Sequence, residues 1–139
     1  MKEKAVRWSG EPVQVVGVAR EYWENETAFQ IYCATWLRKQ YEMTRCEGYR
    51  WWHHSANERE GARAGFRAKL MGQARGYPDF VNHGLMVALE LKVGNGKASD
   101  EQKAWLEQFH LLGYWAEVVR TFERFESIVL EAIKEKYGT

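Results

Sequence analysis

Only two cysteines, two prolines and no apolar run longer than the stretch from Leu85 to Leu89 occur in this sequence of 139 residues. Cys33 and Cys46 fit neither a disulfide framework nor a C-x-x-C metal motif. They are expected to pack as small hydrophobes in a reducing, cytoplasmic setting. So few prolines, with no recurring period, leave no room for Pro-rich linkers or repeat arrays. The apolar run is far too short to span a bilayer. The first seven residues carry no apolar core of a signal peptide, so the expectation is a soluble protein that is not secreted. An excess of one charge is also missing: 20 basic against 19 acidic residues gives a net charge of +1. That balance excludes a globally basic nucleic-acid binder, while leaving a local basic patch open.

What is present fits one globular domain, with 45% hydrophobic and 28% charged residues. Residues 1–23 read as a loosely attached arm with one candidate strand at 13–18, and residues 24–139 as a single domain. Aromatics reach 14%, including seven Trp and seven Tyr, so some rings are expected on a working surface. Asn25 is a natural N-cap for a helix running to about Met43, with Phe29, Cys33, Trp36, Leu37 and Tyr41 on one face. Glu26 falls on that same stripe, and an inward carboxylate at a helix start needs a reason. Residues 49–54 read as an aromatic-rich strand and 57–71 as a helix ended by Gly72 and Gly76. Strands are expected at 80–81 and 86–92. Ser99 with Gln102 forms a capping box for a helix that Gly113 stops. A strand at 114–120 precedes a last helix that Thr121 caps, with Phe125, Ile128, Val129, Ala132 and Ile133 inward. The expected class is α/β, a mixed β-sheet flanked by helices.

The chemistry concentrates in Gly76-Tyr77-Pro78-Asp79 and, beyond it, Glu90-Leu91-Lys92. If Gly84-Leu85 form a type II′ turn, His83 lies opposite Met86 and Asp79 lies directly across from Glu90. Lys92, two residues beyond Glu90, then shares their face. A register slip would send Asp79 to the other side of the sheet. Facing carboxylates repel unless a proton or cation stands between them, and hard oxygen donors suit Mg²⁺ or Mn²⁺ better than zinc. A lysine beside them suits a developing charge on phosphate. The plainer alternative is an exposed Asp with a Glu–Lys pair on a solvated strand. Against that, 86–91 is apolar on both faces apart from Glu90, the pattern of a covered central strand.

Asn57-Glu58, Gly72, Gly76-Tyr77-Pro78-Asp79-Phe80, Glu90-Leu91-Lys92, Ser99 with Gln102, and Gly113-Tyr114 occur in the order found in the VRR-Nuc family. This is the virus-type replication-repair nuclease branch of the PD-(D/E)XK superfamily, which the chain resembles over residues 26–119. The resemblance implies a restriction-endonuclease-like core and divalent-metal hydrolysis of DNA. It implies Asp79 and Glu90 as metal ligands, the Leu91 carbonyl as a third, Lys92 as catalytic, and Glu26 as an acidic residue near the metal. Gln102 reaches the active site in such proteins, although its place in the capping box alone would explain it. A first-turn acid favoured by the helix dipole is the equally plain reading of Glu26. Stand-alone relatives are dimeric cleavers of four-way junctions, which implies a homodimer acting on branched DNA. A sequence-specific restriction-type endonuclease and a non-catalytic DNA-binding module on the same fold are the rival readings.

Arg59, Arg63 and Arg67 recur every four residues, with Lys69 and Arg75 nearby, and form a candidate DNA-binding stripe. A solvated helix face is the alternative. Trp51 and Trp52 cannot both face the core of a regular strand, which leaves one to stack on a base or a partner. Trp8, Trp23 and Trp115 offer large anchors for a dimer interface. The adjacent His53 and His54, with His83 and Cys46, match no zinc-ligand spacing, so strand surface or core is the better reading for them.

Overall fold

Asn25 starts the first helix as its chemistry dictates: its side chain accepts a hydrogen bond from the Ala28 amide at 2.8 Å, and α1 runs Glu26–Thr44. The computed structural model describes residues 23–54 and 75–138. The arm with its candidate strand and Trp8, the helix at 57–71 and four members of the basic stripe (Arg59, Arg63, Arg67, Lys69) lie outside these residues. Phe29, Cys33 and Leu37 are buried on α1 as the periodicity requires, and Gln30 is buried with them.

The expected strand at 49–54 is a correction. Glu47–Tyr49 form a short 3-10 helix, and only His53–His54 pair as β1. The short helix packs closely against the last helix of the chain, where a Cβ on Gly48 would stand 2.5 Å from Ile133 Cγ1. The tight turn brings Gly48 and Tyr49 into the core, where extended backbone would carry them past it. The two tryptophans then part company. Trp52 packs against the core and donates to the Gly48 carbonyl at 2.9 Å, whereas Trp51 is exposed under the Arg50 guanidinium.

The remaining elements follow the sequence pattern closely. Strand β2 is Phe80–Asn82, β3 Val87–Leu91 and β4 Trp115–Val119; α2 spans Asp100–Leu111 and α3 Phe122–Tyr137. They form a four-stranded sheet in the order β1-β2-β3-β4, antiparallel except for the parallel pair β3–β4. One face of the sheet carries the larger core with α1 and α3, including Phe29, Phe80, Leu89, Leu91, Phe125 and Ile128. The other face is covered by α2 through Leu106 and Phe109 over Val81, Ala88, Ala116 and Val118. Thr121 caps α3, accepting from Arg124 N at 3.0 Å, and the five expected residues are buried.

Among the described residues, several of the aromatics pack against one another at the edge of the core. Trp36, Tyr49, Phe122 and Phe125 form edge-to-face contacts with centroids 5.4–6.2 Å apart. Trp115 corrects the expectation of an interface anchor, being 6% exposed with its indole donating to Glu117 at 3.2 Å. Glu117 is buried too and is held in a two-pronged pair by Arg124 at 2.6 and 2.8 Å. That hydrogen-bonded pairing raises the Arg124 pKa above its ordinary value. Trp23 stacks on Phe29 at 5.0 Å. Among the described residues, no helix is long and apolar enough to cross a membrane.

Candidate active site

The register on which the site depends is present. Phe80 pairs with Leu89, Val81 with Ala88 and Asn82 with Val87, so one further step sets Asp79 across from Glu90. The connecting turn differs from the expected type. Positive φ falls on Met86 (57°) rather than on Gly84, and Asn82 Oδ1 accepts from the Leu85 amide at 2.9 Å. A four-residue loop closed by an Asn side chain thus sets the same pairing as a two-residue turn. Loop length and the left-handed residue changed together, and the strands kept their alignment.

The same register sets Pro78 across from Leu91. The ladder stops short of that pair, because β2 starts only at Phe80. The Leu91 amide donates to the Asp79 side chain instead, to Oδ2 at 2.8 Å. The second Asp79 oxygen accepts from Gln30 Nε2 at 2.6 Å. Gln30 lies one turn beyond Glu26 on α1, a spacing that puts both on one face. His54 Nε2 lies 3.3 Å from Gln30 Oε1 and can fix which way that amide points. Asp79 is therefore buried, at 1% exposure, and locked by two donors from two elements.

Glu90 is fully buried in the central strand. Gln102 Nε2 donates to its Oε2 at 2.8 Å. Gln102 also closes the expected capping box, since its Oε1 accepts from the Ser99 amide at 2.8 Å while Ser99 Oγ accepts from Gln102 N at 3.1 Å. One amide closes the capping box and holds the carboxylate. Gly76, in left-handed backbone (φ 80°), lets the chain pass against this helix start; a Cβ there would lie 2.7–2.8 Å from Glu101 and Gln102 atoms.

Lys92 stands between two carboxylates, with Nζ 3.5 Å from Glu90 Oε2 and 3.5 Å from Glu26 Oε1. The lysine is 8% exposed, so both ion pairs are sheltered from solvent. Glu26 thus does face inward, and in this arrangement it pairs with Lys92. Arg120, just past β4, was not legible as a site residue. Its Nη1 donates to the Gly94 carbonyl at 3.1 Å in the loop after β3. Burial lowers its pKa from the ordinary value, and nearby Glu26 partly offsets this. Arg75 is exposed, and its carbonyl accepts from Trp105 Nε1 at 2.9 Å.

Among the described residues, no three His, Cys, Asp or Glu side chains cluster as a ready-made metal cage. The oxygen donors that the register sets opposite one another are two buried carboxylates, Glu90 in β3 and Asp79 just before β2, with the main chain beside them. Such an all-oxygen set with few protein ligands fits Mg²⁺ or Mn²⁺, which keep several waters, and fits zinc poorly.

Comparison with solved structures finds similarity to a VRR_NUC domain protein, with a TM-score of 0.52 and 22% identity over 82% of this chain and 92% of that one. The chain therefore has the VRR_NUC fold, a restriction-endonuclease-like mixed sheet flanked by helices. No family model and no curated protein matches the sequence.

Proposed function

We propose that this protein is a divalent-metal-dependent deoxyribonuclease. The observation that carries the reading is the buried set of Glu90 in β3 with Asp79 and Lys92 at the ends of the adjoining strands, braced by Gln30, Gln102 and Glu26. Asp79, Glu90 and the Leu91 carbonyl would hold Mg²⁺ or Mn²⁺, with Glu26 next to them. Bound there, the ion would polarise a phosphodiester oxygen and acidify an attacking water. The chain's own residues supply the remainder. Gln30 and the Leu91 amide hold Asp79 in one orientation, and Gln102 does the same for Glu90. The Lys92 ammonium stabilises the negative charge that grows on the phosphate as water adds to phosphorus and the ester bond opposite it breaks. Arg59, Arg63, Arg67, Lys69 and Arg75 would position the DNA through its phosphates.

The favoured substrate in this reading is branched DNA, four-way junctions above all, cut by a homodimer. One metal site and a small basic stripe are little surface for one chain to hold a duplex. Two symmetric cuts need two equivalent sites, which a two-fold dimer provides. The test is incubation of the purified protein with linear, flapped and four-way DNA of equal length, with and without Mg²⁺ or Mn²⁺. Light scattering at micromolar concentration goes alongside. Cleavage only with metal, strongest on the junction and by a dimer, is the expected result. Binding without cleavage in either metal would make the protein a DNA-binding module instead. A monomer cutting linear and branched DNA equally would remove the junction preference.

A further inference from the structure

Between α1 and the β1 edge of the sheet lies a cavity of about 190 Å³, outside the carboxylate site. Its walls include Tyr41, Trp52, His54 and Phe80, and Arg38 and Arg50 join them. The rings are held in place before any ligand arrives. Trp52 is tied to the Gly48 carbonyl, and His54 stacks on Phe80 with centroids 4.7 Å apart and planes 9° from parallel. Arg50 lies over Tyr41 at 5.3 Å and bonds its hydroxyl at 3.3 Å, with Glu47 3.6 Å from the same guanidinium. Arg38 is exposed.

The volume falls below the ~300 Å³ lower end for drug-sized ligands, which suits one planar ring system. Aromatic walls recognise the π-face that every nucleobase carries, and guanidinium groups match the phosphates that flank it. The cavity also adjoins the candidate acid. His54 meets Gln30, which donates to Asp79, and Phe80 is the residue after Asp79. A base seated here would leave its strand running past the carboxylates.

We propose that this cavity takes a nucleobase unstacked from single-stranded DNA, placing the flanking backbone toward Asp79. The proposal rests on the nucleic-acid part of the function proposed above. It gives a physical reason for choosing branched substrates, because strand exchange points and flaps supply bases that are cheap to unstack, whereas intact duplex does not.

The experiment measures binding in EDTA, so that cleavage plays no part. The probes are a ten-nucleotide oligodeoxythymidylate carrying one central 2-aminopurine and a blunt duplex of the same length. The expected result is quenching of 2-aminopurine on binding and at least tenfold tighter binding of the single strand. Tyr41→Ala should weaken single-strand affinity about tenfold, the scale of one base stack. Arg38→Glu, a surface change that removes no packing, should weaken it by a comparable factor. Lys134→Gln on the exposed side of α3 should bind as the parent does. Unquenched fluorescence, equal affinity for single strand and duplex, or unaltered binding by both pocket variants would overturn the proposal. Separate outcomes keep it apart from the nuclease reading. Metal-dependent cleavage without single-strand discrimination defeats the pocket alone, and discrimination without cleavage in any metal defeats the nuclease alone.

Discussion

Asp79 shows how the role of a single residue is set by the donors around it. The paired strand stops at Phe80, and beyond it the Asp79 carboxylate accepts the Leu91 amide in place of a main-chain carbonyl. Its other oxygen is then fixed by Gln30. Asparagine is isosteric and keeps one of the two accepting oxygens for the Leu91 amide, and the Gln30 amide can turn its oxygen toward the new NH2 group. Asp79→Asn should therefore abolish metal-dependent cleavage while retaining the circular dichroism of the parent and most of its DNA affinity, which comes chiefly from phosphate contacts elsewhere. Lys92→Ala should do the same to turnover, with a decrease of at least about 10²-fold, the usual scale for removing one charge-stabilising group. It should also lower the melting temperature, since the cation between Glu90 and Glu26 is gone. Gel assays of cleavage paired with filter binding check both, and full activity in either variant would take that residue out of the mechanism.

At the level of elements, α2 does two jobs with one side chain. Gln102 spans from the Ser99 amide to Glu90, so the capping of the helix and the orientation of the carboxylate are a single piece of geometry. Gln102→Glu separates the two. Glutamate is an equally good third residue of a capping box, so helix stability should change by less than ~1 kcal/mol. Toward Glu90, however, a donor becomes a second carboxylate, and like charges at that distance repel. The expected outcome is an unchanged helix content by circular dichroism, a melting temperature lowered by the buried repulsion, and cleavage reduced at least tenfold. A parental rate would show that Gln102 serves the helix alone. The parallel pairing of β3 with β4 has a comparable consequence, bringing Arg120 and its Gly94 contact to the same end of the sheet as Lys92.

For the whole molecule, near-neutral net charge means that any affinity for DNA depends on where the basic residues gather. Replacing Arg59, Arg63 and Arg67 together with Gln should weaken binding to all sequences alike. Every phosphate left without its guanidinium should reduce the salt slope of log affinity by about 0.9 on duplex DNA. Titrations at several salt concentrations check this, and an unchanged slope would return the stripe to solvated surface. The exposed Leu111, Leu112, Leu130 and Tyr137 are large apolar side chains at or near the two later helices, α2 and α3. With Trp115 buried, exposed side chains of this kind are the anchors that the described residues offer a dimer.

Local chemistry was legible in the sequence wherever one residue type dominates its own surroundings. Asn25, Ser99 and Thr121 cap their helices because a side-chain oxygen one step before a helix satisfies its free amides. The Asp79–Glu90 register is read from a two-residue turn at Gly84-Leu85, and the pairing is the expected one although the turn is of another type. Other features needed the tertiary structure. The need for glycine at position 48 comes from Ile133, more than eighty residues away, which leaves no room for a Cβ. The grip of Gln30 on Asp79 crosses 49 positions. Trp115 reads as an interface anchor until Glu117 takes its indole and Arg124 closes over that acid. Backbone amides and alternating faces act within a few residues and so leave their pattern in the order of the chain. Side-chain partners from distant elements meet only when the sheet has brought α1, α2 and α3 onto its two faces.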